Sequence, residues 1–183
     1  MFGALCVLFF KLSGWKILGK FPGEDVPKYI NIVAPHTSAW DYPIGVATRK
    51  ITGIDSKYLA KKELFKFPPL AWFMRSMGGY PVDRGTKNSM TDAIVDLFNS
   101  KERFSITITP EGTRKKVDKW KTGFYIVAQK ANVPIVMVAF DFGNKQVIVK
   151  EPQYVTGDME GDIEKMKEFY RGIKGKIPEF GVS

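Results

Sequence analysis

The segment Pro35-His36-Thr37-Ser38-Ala39-Trp40-Asp41 holds the single histidine of the chain, with a carboxylate five residues further on. Imidazole ionises nearer neutrality than any other ordinary side chain, which suits it to carrying a proton during a reaction. On a regular helix, five residues turn two side chains about 140° apart, too far for easy contact. With His36 in the turn leaving a strand and Asp41 in the first turn of a helix, the carboxylate reaches one ring nitrogen. It then fixes the tautomer and stabilises the imidazolium as the other nitrogen takes a proton. That is the wiring of a general base. The same fragment also fits a structural histidine beside a helix-capping aspartate.

Two further segments carry groups suited to an anionic ligand. In Gly79-Tyr80-Pro81-Val82-Asp83-Arg84-Gly85, glycines bracket a short strand and leave Arg84 at its end. Its planar guanidinium can hold a phosphate through two hydrogen bonds, although an Asp83–Arg84 surface turn is equally consistent. In Thr109-Pro110-Glu111-Gly112-Thr113-Arg114, a carboxylate, a glycine, a hydroxyl and a guanidinium follow directly on an apolar strand. Glu111 can accept from substrate hydroxyls or orient Arg84, while Thr113 and Arg114 offer donors to phosphate. Lys121, in Trp120-Lys121-Thr122-Gly123, stands just ahead of a predicted helix start, itself a favourable place for an anion.

Alternating strands and helices position these groups. Tyr29–Ala34 reads as a buried strand, followed by a helix over Asp41–Thr52 and a strand over Ser56–Ala60. Pro68-Pro69 breaks the apolar stretch from Lys61 to Met77 into two helical pieces. Further strands are predicted over Tyr80–Asp83, Phe104–Thr109, Pro134–Phe140 and Gln146–Lys150. The remaining helices are Asn88–Asn99, Thr122–Ala131 and Asp162–Lys174. This alternation predicts a single α/β domain with a mostly parallel central sheet flanked by helices. Ligands in such sheets sit at the carboxyl ends of the strands, where His36 and Glu111 fall.

Composition narrows the classes. At 183 residues the chain suffices for one domain and not for two, and its 44% hydrophobic and 26% charged content excludes a disordered chain. One Cys, Cys6, excludes an intramolecular disulfide, and one His excludes a zinc site of several His and Cys ligands. Asp and Glu are scattered and His36 has no companion ligand, so no metal is expected. The net charge of +9 implies anionic partners. Nucleic acid drops out, because no basic recognition helix, RNA-binding sheet motif or zinc pattern occurs.

The apolar stretch from Phe2 to Phe10, followed by Lys11, Lys16 and Lys20, is too short to span a bilayer. It lacks the basic lead and cleavage site of a signal peptide. It fits either a helix packed on its own domain or an interfacial anchor whose lysines meet anionic headgroups, the reading adopted here. Residues 1–22 are thus assigned to a membrane-associating helix and 23–183 to the α/β domain. Phe65, Phe67, Leu70, Trp72 and Phe73, beside Lys61, Lys62, Lys66 and Arg75, fit core packing, or else an acyl-chain groove or membrane surface.

Taken in order, His36…Asp41, Gly79…Arg84, Glu111-Gly112-Thr113-Arg114 and Val133-Pro134-Ile135 resemble the four motifs of the glycerolipid acyltransferases, whose familiar members are the lysophosphatidate acyltransferases. The resemblance spans roughly residues 30–140. It departs at Pro35, where the family usually has Asn, in a short stretch from Arg114 to Lys121, and in a brief N-terminal region. It implies transfer of a fatty acyl group from acyl-CoA or acyl carrier protein to the hydroxyl of a lysophosphatidate-type acceptor. By the same resemblance, His36 is the base, Asp41 orients it, and Arg84, Glu111, Gly112, Thr113, Arg114 and Lys121 form the phosphate site. No cofactor is expected. The expected location is peripheral, on the cytoplasmic face of the cell membrane. Another acceptor (glycerol-3-phosphate, a lysophospholipid or a hydroxylated amino-acid lipid) or a non-catalytic lipid-binding relative stays open.

Overall fold

The computed structural model describes residues 2–82 and 87–183. In chain order the elements are α1 (Phe2–Leu12), β1 (Lys16–Leu18), β2 (Lys28–Ala34), α2 (Asp41–Thr52), β3 (Ser56–Lys61) and a 3-10 turn (Lys62–Phe65). There follow α3 (Pro68–Ser76), β4 (Gly79–Val82), α4 (Lys87–Ser100), β5 (Phe104–Ile108), α5 (Gly123–Ala131), β6 (Ile135–Asp141), β7 (Gln146–Val149) and α6 (Met159–Tyr170).

The strands form one sheet in the order β1-β7-β6-β2-β5-β3-β4. Every neighbouring pair is parallel except β6 with β7, so the mostly parallel α/β architecture expected from the alternation is the one found. β2 and β6 are apolar along nearly their whole length because helices cover both faces of the sheet. On one face Tyr29, Val33, Val136 and Val138 pack with Ile44 and Ala47 of α2 and Cys6 and Phe10 of α1. On the other, Ile30, Ile32, Ile106 and Ile135 meet Phe98 of α4, Phe124 and Tyr125 of α5, and Met166 and Tyr170 of α6. Tyr170 is fully buried and its hydroxyl donates to Ile32 O at 2.8 Å, tying the last helix to the central strand. β5 enters the sheet between β2 and β3, and β6 then joins on the opposite side of β2. Such a reversal of winding opens a crevice at the strand ends, where the polar segments gather.

Two expectations are corrected. Residues 1–22 are not one helix: α1 stops at Leu12, the chain turns at Gly14 (φ +79°), and Lys16–Leu18 adds a parallel edge strand against β7. Trp15, buried between the rings of Phe10 and Phe142, pins that turn. The C-terminal helix runs Met159–Tyr170 rather than Asp162–Lys174. Asp158 starts it early by accepting the Gly161 N–H at 3.1 Å, the usual role of an N-cap carboxylate.

Candidate active site at the strand ends

β2 delivers the chain into a short turn, and α2 begins at Asp41, so His36 and Asp41 lie on either side of that turn. Asp41 Oδ2 is 2.8 Å from His36 Nδ1. The same oxygen accepts the backbone N–H groups of Thr37 at 3.1 Å and Ser38 at 3.2 Å. The carboxylate is therefore the hub around which the turn is wound. Asp41 is buried, while the His36 side chain keeps 20% exposure. With Nδ1 committed to Asp41, Nε2 is the nitrogen that can work on a ligand.

The turn is backed from two distant parts of the chain. Glu111 Oε2 accepts the His36 backbone N–H at 2.8 Å. On the other side, Ile177 N–H donates to Thr37 Oγ1 at 3.1 Å, and Gly175 sits so close that a Cβ there would lie 2.6 Å from the same oxygen. Glu111 thus holds the backbone at His36. Its burial, partly offset by the His36 N–H and the His36 charge and reinforced by the charge of Asp41, pushes its carboxyl from 4.5 up to about 7.

A raised carboxyl pKa has a definite sign in stability. The unfolded chain sheds this proton near pH 4.5 and the folded chain only near 7, so stability falls as pH rises through that window. Glu111→Gln removes the titration. Its stability relative to the parent should rise by about 2 kcal/mol between pH 5 and pH 8, at roughly 1.4 kcal/mol per unit. Denaturant midpoints at the two pH values measure it, and a gap that does not change with pH refutes it.

Gly112 adopts φ +66°, and a Cβ there would lie 2.6 Å from Lys121 Nζ and Cε. The lysine chain is thereby laid across the Glu111–Gly112 turn, with Lys121 N–H donating to Pro110 O at 2.8 Å. Thr113, Arg114 and Lys121 are exposed around this turn, and Thr113 Oγ1 accepts the Lys115 N–H at 3.3 Å. The second segment cannot be placed in the same way, because Arg84 lies outside the described residues. Among the described residues, no group of three or more His, Cys, Asp and Glu could hold a metal ion.

Below His36 a cavity of about 300 Å³ runs between α2 and the sheet. His36, Asp41, Thr109 and Arg114 stand at the strand-end side, and Val33, Gly45, Val46, Val138 and Phe140 make apolar walls. Tyr42, Tyr58 and Met77 close it towards β3. Burial, with a hydrogen bond to Tyr58, pushes the Tyr42 hydroxyl well above its ordinary range, so it stays a neutral donor. Sequence reasoning missed this cavity and the polar groups in its floor. The signal lay in Phe104-Ser-Ile-Thr-Ile-Thr109, whose Phe and Ile side chains face one layer and whose Ser105, Thr107 and Thr109 face the other.

The aromatic cluster is not in that cavity. Phe67, Leu70, Trp72 and Phe73 are exposed on α3, and Phe65 with Trp72 borders a separate depression beside Arg75. Ring contacts join this surface to α1 and the start of α2: Phe2 meets Phe73 at 6.1 Å and Tyr42 at 6.5 Å, and Phe9 stacks on Trp40 at 5.6 Å. With the exposed Leu5, Leu8 and Leu12, an apolar face extends alongside the His36 turn. No helix among the described residues is long and apolar enough to cross a membrane.

Comparison with known proteins gives the family and the fold. The 1-acyl-sn-glycerol-3-phosphate acyltransferase of Streptococcus pneumoniae is 32% identical over 146 residues, covering 75% of this chain and 52% of the relative. The chloroplastic 1-acyl-sn-glycerol-3-phosphate acyltransferase BAT2 of Brassica napus is 27% identical over 156 residues, covering 75% of this chain and 44% of its own. The chain thus spans about half the length of the curated relatives it matches. The crystal structure of the acyltransferase PlsC from Thermotoga maritima superposes with a TM-score of 0.61 at 21% identity, covering 94% of this chain and 76% of that one, which establishes the shared fold. The family model for Acyltransferase matches residues 23–141, from the loop before β2 to the end of β6, and the chain belongs to that family.

Proposed function

We propose that this chain transfers a fatty acyl group from a thioester, acyl-CoA or acyl carrier protein, to the free hydroxyl of a lysophosphatidate-type acceptor. The observation that carries the reading is the His36–Asp41 pair standing over an apolar cavity, with Arg114 beside it. Relatives named 1-acyl-sn-glycerol-3-phosphate acyltransferases supply the acceptor class.

The chemistry is direct. The acceptor hydroxyl attacks the thioester carbonyl as His36 Nε2 takes its proton, and a tetrahedral intermediate forms. Its collapse breaks the C–S bond, and the proton passes from His36 to the departing thiolate. The products are an ester and a free thiol. Ser38 has other employment, since its Oγ accepts the Trp40 N–H at 3.3 Å, and Cys6 is buried on the inner face of α1. Arg114, Thr113 and Lys121, with Arg84, hold the acceptor phosphate. Anchoring that remote group keeps the hydroxyl against the carbonyl, which is catalysis by proximity. The acyl chain lies in the cavity, whose volume is in the range of small-molecule sites.

The surface made by α1, Trp40 and α3 is the docking face for the membrane that supplies the acceptor. Its exposed rings and leucines enter the interface, while Lys11, Lys50, Lys61, Lys62 and Lys66 at its borders meet anionic headgroups. The protein acts there as a peripheral enzyme on the cytoplasmic face, where soluble thioester donors are met.

Labelled acyl-CoA and acyl carrier protein offered with a panel of acceptors test this reading. Lysophosphatidate should be acylated fastest, without ping-pong kinetics or label retained on Ser38. Faster transfer to glycerol-3-phosphate, a lysophospholipid or a hydroxylated amino-acid lipid reassigns the acceptor, and no transfer to any refutes the activity. In flotation assays the chain should follow anionic vesicles over neutral ones, and equal recovery from both overturns the docking face.

A further inference from the structure

The floor of the cavity is not apolar throughout. Asn31 of β2, Ser56 of β3 and Thr107 of β5 converge there, all three lining the cavity. The sheet register sets Asn31 opposite Thr107 and Ser56 opposite Ser105, one step back along β5 on the same face. Asn31 is 1% exposed. Its Nδ2 donates to Ser56 Oγ at 3.0 Å and reaches Thr107 Oγ1 at 3.5 Å, and the two hydroxyls are 2.7 Å apart.

The hydrogen-bond count does not close. Asn31 Oδ1 is buried with no partner among the described residues. Of the two hydroxyl protons, one serves the Ser56–Thr107 bond, and none of the bonds around the cluster among the described residues takes the other. The cluster therefore holds one unpaired acceptor and one unpaired donor at the floor of the cavity. A buried polar group left unpaired costs on the order of 1–3 kcal/mol, so this is an expensive floor for a channel holding plain methylenes. A methylene satisfies neither group, and a ketone satisfies only the donor. A hydroxyl satisfies both, donating to Asn31 Oδ1 and accepting from Thr107 or Ser56. Turning the amide over replaces the open acceptor by an open N–H, which a hydroxyl also serves.

We propose that the Asn31–Ser56–Thr107 cluster is a recognition site for a hydroxyl on the acyl chain, so that the protein favours hydroxylated over plain acyl donors. The inference rests on the acyl-transfer reading for its ligand. Depth gives the position of the group. Asn31 is three residues from the end of β2 at Ala34, roughly 10 Å at ~3.3 Å per residue, and His36 lies in the turn beyond that end. A zigzag chain advancing ~1.25 Å per carbon covers the strand part in roughly eight carbons, and the turn adds a few more. The hydroxyl is thus well down the chain, remote from the thioester.

The test compares octadecanoyl thioesters that are plain, or carry a hydroxyl or a ketone between about carbon 8 and carbon 12. At one of these positions the hydroxylated donor should have a kcat/KM about tenfold above the plain one, the scale of one or two net buried hydrogen bonds, with the ketone between them. Asn31→Leu and, as a nearly isosteric alternative, Thr107→Val should lose that preference. Equal kcat/KM for plain and hydroxylated donors at every position overturns the inference while leaving acyl transfer standing. Absence of transfer from every donor refutes the acyl-transfer reading instead. The free hydroxylated and plain fatty acids, compared by thermal shift on the same proteins, then decide hydroxyl recognition: a larger shift for the hydroxylated acid in the parent alone supports it, and equal shifts overturn it.

Discussion

His36→Ala is expected to lower the acyl-transfer rate by ~10²–10⁴-fold, the usual contribution of a positioned general base. A lipid hydroxyl is a poor nucleophile at neutral pH, and His36 is the only histidine in the chain. Its ring is already held by Asp41 through Nδ1, so the loss removes a prepared base rather than a mobile side chain. The ring is only partly buried and contributes little packing, so the variant should fold and retain affinity for acceptor and vesicles. Steady-state kinetics with binding measured on the same preparation separates the cases. Transfer within threefold of the parent removes His36 from the role of base.

Asp41→Asn should do nearly as much by a different route. Asp41 Oδ2 receives the imidazole and two backbone N–H groups, and the other oxygen of the same carboxylate is buried without a partner among the described residues. An amide keeps one oxygen, but its NH₂ end must face groups that donate or the buried side. Held by an oxygen, the ring keeps its proton on Nδ1 and its lone pair on Nε2; held by the amide NH₂, it is turned to the wrong tautomer. A loss of ~10²–10⁴-fold in kcat, with KM little changed, follows from that inversion. The wound turn should also lose on the order of 1–3 kcal/mol of stability. The pH–rate profile distinguishes the roles: a purely structural Asp41 lowers stability and leaves the profile's shape intact. That result would remove it from the orientation of the base.

The elements that place this pair were legible because their patterns are local. Tyr29–Ala34 has no polar residue but Asn31, as a strand covered on both faces requires, and Asp41–Thr52 begins and ends where its carboxylate and Gly53 indicate. The edge strand Lys16–Leu18 was not legible, since three residues carry no period and its reason is pairing with β7, far along the chain. The last helix begins at Met159, ahead of the expected Asp162, because Asp158 accepts the Gly161 N–H, a cap that the periodicity of apolar residues does not contain. The cavity was hidden for a similar reason. Asn31, Ser56 and Thr107 come from three strands, and only the sheet order makes them neighbours. In the one-dimensional sequence each is an ordinary polar residue in a strand. The aromatic cluster around Trp72 was visible as a group, but burial, which a linear pattern does not contain, decided that it faces outwards.

The contact between Ile177 and Thr37 has a meaning in time as well as space. These residues are 140 positions apart, so the His36 turn leaves the ribosome well before its support does. A chain still growing on the ribosome can pair β2 with its first neighbours and yet lack the strut that steadies the His36 turn. The supported arrangement of the His36 turn is thereby delayed until Ile177 has been added and can fold back onto Thr37.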